Sequence, residues 1–123
     1  MKLTVLAERF AICRLSPSAT LPEWAASASF LSIARTPDEL SIVCDETNVP
    51  ADVRSERGWR CVRVEGPIPF DVVGLAARLT TPLAGSSIPV FFVSTFDTDY
   101  LLVKEERLEE ALAGWRATGF TTE

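Results

Sequence analysis

The hydrophobic pattern of the chain changes its period within one continuous segment, residues 59–104. Its apolar residues first alternate at Val62 and Val64, as they do in a strand. They then recur at helical spacing, at Val72, Leu75, Leu79 and Leu83. Two apolar runs separated by a turn follow, which is typical of a hairpin. The segment therefore predicts strand, helix, strand and strand, in that order.

A second helix and a short last strand complete this C-terminal pattern. Apolar residues fall on one face of the segment after the hairpin, and Gly119 is suited to ending the helix. The predicted elements are strand 59–65, helix 71–83, strand 88–95, strand 99–104, helix 105–117 and strand 119–122. The order β-α-β-β-α-β is that of the split, ferredoxin-like arrangement.

The N-terminal half repeats part of this pattern at an offset of about 60 residues, a period at which repeated supersecondary units are expected. Residues 30–46 align with residues 90–106, and a predicted helix follows each of these hairpins. The predicted elements are strand 3–6, strand 9–15, a helical turn at 22–26, strand 29–35, strand 40–44 and helix 48–57.

The two patterns together predict an α+β fold of two tandem ferredoxin-like units, with antiparallel sheets and helices on one face. The first unit is predicted to span residues 1–58 and to have an abbreviated first helix. The second is predicted to span residues 59–123.

The charge balance of the chain disfavours two classes of partner. The formal net charge is −5 and the pI is about 4.8. Nucleic acids and anionic membrane surfaces bind clustered Lys and Arg, and no such cluster is present. No apolar run has the length of a membrane span. We therefore expect neither nucleic acid nor a membrane as a partner.

Residue composition also argues against an enzyme. The chain has no histidine, which is the commonest general base and zinc ligand. Cys13, Cys44 and Cys61 lie in apolar runs, which suits reduced core thiols better than a disulfide framework or a metal site. We expect no metal, no cofactor and a cytoplasmic protein, because Glu8 and Arg9 interrupt any N-terminal signal sequence.

Three segments carry a resemblance to a known family. They are residues 36–44 (TPDELSIVC), 66–75 (GPIPFDVVGL) and 94–103 (STFDTDYLLV). In these segments the chain resembles the bacterial tandem ACT-domain proteins related to the CASTOR-type arginine sensors and to the regulatory domains of aspartate kinase. The resemblance implies a regulatory fold that binds an amino acid where the loop of one ACT unit meets the edge of another.

The loop before the first C-terminal helix is one part of the predicted site. Asp71 is predicted to cap that helix, and the amides near Val72, Val73 and Gly74 are predicted to donate to a ligand carboxylate, with Leu75 following them. The alternative is that Asp71 is only an N-cap and that Gly74 serves helix packing.

The hairpin turn is the other part of the predicted site. The resemblance places Thr95, Phe96 and Asp99 against the ligand, with Asp99 as the partner of an ammonium or guanidinium group. By residue type alone, the same segment is an ordinary turn. The corresponding turn at residues 35–39 has a different sequence, so we expect one site per chain, with the first unit supplying a wall.

Three functions fit these observations. The first is a non-catalytic regulatory or sensor protein that binds a small molecule, expected to be an amino acid. The second is a ligand-free ACT-type adaptor that acts through protein contacts. The third, a small enzyme that uses Asp97 and Asp99, is disfavoured by the lack of histidine and of a metal cluster. We also expect a homodimer and an unidentified protein target.

Overall fold

Two α-helices and seven strands make up the regular structure of the chain. The computed structural model describes residues 1–123. The strands are β1 (Lys2–Leu15), β2 (Ser32–Arg35), β3 (Leu40–Asp45), β4 (Ser55–Val64), β5 (Phe91–Ser94), β6 (Asp99–Lys104) and β7 (Thr121–Thr122). The helices are α1 (Leu75–Gly85) and α2 (Leu108–Ala117), and short 3-10 turns lie at Glu46–Asn48 and Glu105–Arg107.

The chain divides into two compact units. One comprises residues 1–6 with 60–123, and the other comprises residues 7–59. Strands β1 and β4 run through both units. The division after residue 59 lies close to the predicted boundary, but residues 1–6 belong with the C-terminal unit. The reason is that Lys2 O accepts a 2.9 Å hydrogen bond from Glu65 N and that Lys2 and Leu3 pair with β7.

The unit of residues 1–6 and 60–123 has the β-α-β-β-α-β order that the sequence predicts. Its strands lie in the order β7, β1, β4, β6 and β5, so the start of β1 is inserted between β7 and β4. The pairing of β5 with β6 is antiparallel. Both helices contribute to the core cluster of this unit. The fold is therefore α+β and ferredoxin-like.

Helix α1 begins later than the sequence predicts. Its buried face consists of Leu75, Leu79 and Leu83, which recur at a spacing of four residues. The predicted start at Asp71 is wrong because Val72 N donates to Pro69 O in a separate turn. The left-handed backbone of Gly74, with φ of 85° and ψ of 2°, then precedes the first helical residue.

A buried tryptophan joins the two helices of this unit. Trp115 of α2 is fully buried, and its Nε1 donates a 2.7 Å hydrogen bond to Leu79 O of α1. The other buried residues of α2 are Leu108, Ala111 and Leu112. Trp115 therefore buries a large apolar area while its only polar side-chain atom, Nε1, is hydrogen-bonded.

The unit of residues 7–59 is built from strands, in the order β2, β3, β1 and β4. Both β1–β3 and β2–β3 are antiparallel pairs. The predicted strands 3–6 and 9–15 form the single strand β1, and the strand predicted from residue 29 begins at residue 32. Residues 7–59 contain no α-helix, so the first unit lacks the helix predicted at residues 48–57 as well as a full first helix.

The helix predicted at residues 48–57 is wrong for a local reason. The Asp45 carboxylate accepts from Thr47 N and begins the 3-10 turn of Glu46–Asn48. The Arg57 guanidinium then donates to the backbone oxygens of Glu46, Val49 and Pro50, which satisfies acceptors that a helix would have used. The chain therefore enters β4 at Ser55.

All three cysteines are buried free thiols. Burial raises the pKa of the Cys13 thiol and raises that of Cys44 to about 12. The thiols of Cys13 and Cys44 are therefore predominantly protonated at neutral pH. Neither helix is long and apolar enough to cross a lipid bilayer.

The hydrogen bond between Trp115 and Leu79 is expected to contribute measurably to the free energy of unfolding. We expect Trp115→Phe to lower the free energy of unfolding by about 1–3 kcal/mol, because Leu79 O loses its buried donor. Urea unfolding followed by circular dichroism measures the change. Trp24→Phe is the matched control, since Trp24 is only partly buried and its indole has no such acceptor. Equal destabilisation by the two substitutions would contradict the prediction.

Candidate functional site

A cavity of about 320 Å³ lies between the loop that precedes α1 and the β5–β6 hairpin turn. This volume is within the range of small-molecule sites. Six of the eight predicted site residues line it: Val72, Gly74, Leu75, Thr95, Phe96 and Asp99. Thus the structure brings together the two separate segments that the sequence singles out.

The other two predicted residues, Asp71 and Val73, do not line the cavity. Asp71 is exposed and does not cap α1, whose N-cap residue is Gly74. The Val73 side chain is 94% exposed. The cavity is also lined by residues that the sequence prediction omitted: Ile68, Pro69, Phe70, Ala76, Ser94, Asp97 and Thr98. The position of Ser94 and Asp97 in the same hairpin is the signal that could have identified them.

The start of α1 presents backbone donors at one side of the cavity. The backbone hydrogen bonding of this helix begins with Arg78 N, which donates to Gly74 O at 3.0 Å. No side chain caps the first turn. Gly74 and Leu75 both line the cavity. The amides of this first turn therefore remain available to an anionic group, in place of the amides of residues 72–74 that the sequence predicted.

The hairpin turn is held by its two threonines. Thr95 N donates to Thr98 O at 2.8 Å, and Thr98 N donates to Thr95 Oγ1 at 3.3 Å. The Thr98 side chain is only 6% exposed, and its hydroxyl donates to Val64 O at the end of β4. The turn is therefore fixed both internally and against the neighbouring strand.

The loop before α1 is attached directly to this turn. Ile68 N donates a 2.7 Å hydrogen bond to Asp97 O. Gly66 approaches so closely that a Cβ atom there would lie 2.9 Å from Asp97 O and 3.0 Å from Thr98 Cβ. The peptide bond between Gly66 and Pro67 is cis. The two walls of the cavity are therefore held in a defined relation to each other.

Two carboxylates give the cavity its charge. Asp97 and Asp99 line it, and no Lys or Arg does. Asp99 accepts a 2.6 Å hydrogen bond from Ser94 Oγ. The cavity therefore favours a ligand with a positively charged group. All of its lining residues fall within 68–99, so the wall predicted from residues 1–58 is not part of it.

Two aromatic side chains stand at the rim of the cavity. The rings of Phe70 and Phe96 make an edge-to-face contact, with their centroids 4.9 Å apart. Both side chains are largely exposed, at 77% and 78%. The two rings form a small exposed apolar surface beside the cavity, which makes this rim a candidate contact surface.

A larger concavity of about 420 Å³ lies on the helices, away from this site. It is lined by Ala77, Arg78, Thr81, Pro82 and Thr118. Its polar groups are the guanidinium of Arg78 and two threonine hydroxyls, and it has no carboxylate to pair with a cationic group. The cavity at the hairpin turn is therefore the better candidate.

Comparison with known families and structures agrees with this fold. Residues 54–113 match the family model of the ACT domain, and residues 8–52 match a separate model of an N-terminal domain. A crystal structure of a protein from Agrobacterium tumefaciens is 42% identical in sequence, with a TM-score of 0.93. The match covers 99% of this chain and 91% of that one.

Two further similar proteins are regulators by name. The human cytosolic arginine sensor for mTORC1 subunit 1 is 35% identical over 88 residues, which cover 65% of this chain and 27% of the sensor. The chain thus spans about a quarter of the length of that relative. The regulatory subunit of aspartate kinase from Thermus thermophilus has the same fold, with a TM-score of 0.63 at 11% identity, over 95% of this chain and 97% of that one.

The contact between the loop and the turn gives a testable expectation. We expect Gly66→Ala to lower the melting temperature by several degrees, because overpacking of this kind costs roughly 1–3 kcal/mol of stability. The new Cβ would lie 2.9 Å from the backbone oxygen of Asp97, which cannot move aside as a flexible side chain would. Gly85→Ala is the matched control, since a Cβ at Gly85 meets no atom within 4 Å. Thermal unfolding followed by circular dichroism measures both, and equal melting temperatures would contradict the prediction.

Proposed function

We propose that the chain, whose residues 54–113 match the ACT-domain family model, is a non-catalytic regulatory protein that binds an amino acid at the hairpin-turn cavity. The observation that carries the proposal is the charge of that cavity. Two carboxylates line it at the hairpin, and the uncapped first turn of α1 borders it. An amino acid with a cationic side chain offers the complementary groups, an anionic carboxylate and positively charged nitrogens.

Seven of the thirteen lining residues have a role in this proposal. Asp99 binds the cationic group of the ligand, and the amides at Leu75 and Ala76 bind its carboxylate. Thr95 and Phe96 contact the ligand from the hairpin, and Val72 and Gly74 contact it from the loop. Asp71 and Val73 have no ligand contact in the proposed site, because neither lines the cavity.

A basic amino acid is the ligand class that the charges favour. Two carboxylates and no Lys or Arg line the cavity, so a ligand of net positive charge is attracted to it more than a neutral one. The similar human protein is by name an arginine sensor, which supports L-arginine as the first ligand to test.

A protein that binds a ligand without converting it has an effect only when another protein responds to the bound state. We therefore propose that the chain acts on a separate protein target, in the cytoplasm. We also propose a homodimer, because β5 is an edge strand whose backbone groups are open to pairing with a second chain.

A ligand-free adaptor is the second candidate function, and the rim of the cavity favours it. Phe70 and Phe96 expose most of their apolar surface there, and Val73 of the neighbouring loop is 94% exposed. Such a surface suits contact with another protein as well as it suits a ligand. In the adaptor, no amino acid would stabilise the fold.

Ligand stabilisation separates the two functions. We expect L-arginine or L-lysine to raise the melting temperature in a concentration-dependent way, since a ligand at 100 times its Kd stabilises the folded state by about 2.7 kcal/mol. L-citrulline and L-norleucine, which lack the positive side-chain charge, are the matched controls. An unchanged melting temperature at millimolar concentrations of all common amino acids would favour the adaptor.

The two carboxylates are predicted to differ in importance. We expect Asp99→Asn to weaken binding of the cationic amino acid by at least about tenfold, because a charge-assisted hydrogen bond is lost. Asp97→Asn is the matched control, since Asp97 lines the same cavity but its carboxylate accepts no hydrogen bond. Isothermal titration calorimetry measures both affinities. If Asp99→Asn bound with the affinity of the wild type, Asp99 would have no part in the site.

A further inference from the structure

Ser94 and Asp99 face each other as a direct pair across the β5–β6 hairpin. Ser94 Oγ donates a hydrogen bond of 2.6 Å to Asp99 Oδ1, and both residues line the cavity. From this geometry we propose that Ser94 is a positioning residue, which holds the Asp99 carboxylate in place for the cationic group of the ligand. The inference rests on the proposed function and adds a residue that acts through Asp99.

The Asp99 side chain needs such a partner because it stands at the end of a strand and is partly exposed. A carboxylate in that position rotates freely unless a neighbour holds it, and stopping the rotation during binding costs affinity. A hydroxyl that donates to an ionised carboxylate makes one of the stronger hydrogen bonds in proteins. Ser94 therefore fixes the carboxylate before the ligand arrives.

The bond leaves most of the accepting capacity of Asp99 to the ligand. Each carboxylate oxygen accepts about two hydrogen bonds. Ser94 uses one position on Oδ1, and Oδ2 has no protein donor. An ammonium or guanidinium group can therefore bind at Oδ2 and at the second position of Oδ1 without displacing Ser94.

Asp97 is a carboxylate in the same cavity whose side chain has no hydrogen-bond donor. Its side chain accepts no hydrogen bond, and its only contact of this kind is made by its backbone oxygen with Ile68 N. The cavity thus contains one fixed and one unfixed carboxylate. Ser94 is the structural difference that makes Asp99 the preferred partner of a cation.

The hairpin itself does not depend on Ser94. Its turn is closed by the bonds between Thr95 and Thr98 and is anchored by the bond from Thr98 to Val64. Ser94 is exposed at the end of β5. Its replacement is therefore expected to leave the fold intact while it releases the Asp99 side chain.

The test is calorimetric titration of L-arginine into the wild type, Ser94→Ala, Ser94→Thr, Asp99→Asn and the double variant Ser94→Ala with Asp99→Asn. We expect Ser94→Ala to weaken L-arginine binding about 5- to 10-fold, through loss of the charge-assisted bond, with an unchanged melting temperature. Threonine keeps the hydroxyl and restores binding. Ser94→Ala causes no further loss in the Asp99→Asn background, because the carboxylate that Ser94 positions for the cation is already absent there.

L-citrulline and L-lysine extend the same experiment. L-citrulline resembles arginine in shape without its charge, and its weak binding should be equal in the wild type and in Ser94→Ala. L-lysine should lose affinity in Ser94→Ala as L-arginine does, because both carry a cationic group. Equal losses for L-arginine and L-citrulline would mean that Ser94 acts on the shape of the cavity and not through Asp99.

The remaining outcomes separate this inference from the proposed function. Binding of L-arginine with the same affinity by the wild type and Ser94→Ala overturns the inference alone, and so does a failure of threonine to restore binding. A wild type that binds neither L-arginine nor L-lysine overturns both. Side-chain NMR of the ligand-free protein adds a direct observation: a single Asp99 χ1 rotamer in the wild type and averaging in Ser94→Ala support positioning, and the same behaviour in both overturns it.

Discussion

The hydrogen bond from the Thr98 hydroxyl to Val64 O is the constraint on which the candidate site depends. It fixes the hairpin turn against the end of β4, in a place from which water is excluded. A buried polar group is stable only with a partner, so the turn has one favourable position. The bond from Ile68 N to Asp97 O then attaches the loop to that turn. Loop, helix start and hairpin are thus positioned together.

The cavity that results brings together groups that can bind a polar ligand. Its carboxylates stand beside hydroxyls and backbone amides, and no histidine exists in the chain to move a proton at neutral pH. The two sides of the cavity differ in charge: the hairpin side carries the carboxylates, and the other side is the positive end of the α1 dipole. This polarity is the reason for proposing a basic amino acid as the ligand, and the exposed rings of Phe70 and Phe96 lie beside the cavity.

Part of this site could be predicted from sequence because its residues occur in two short, recognisable segments. The hairpin residues Thr95, Phe96 and Asp99, which the resemblance placed against the ligand, line the cavity, and their contact with a ligand stays a prediction. The loop was less predictable. Asp71 has the residue type of an N-cap, but the turn from Pro69 to Val72 ends before the helix begins, and Gly74 takes the capping position. Local propensity does not report such a displacement of three residues.

The sequence by itself determined the α+β class, the β-α-β-β-α-β order of the C-terminal half and the hairpin that bears Asp99, because hydrophobic period and turn residues are local properties. Only the tertiary structure decided that residues 48–57 form no helix, since Arg57 binds the carbonyls of residues 46–50. Tertiary structure also placed residues 1–6 beside β7 and paired Ser94 with Asp99. Each of these features depends on a contact between residues that are not adjacent in the sequence. A local sequence pattern does not encode such contacts.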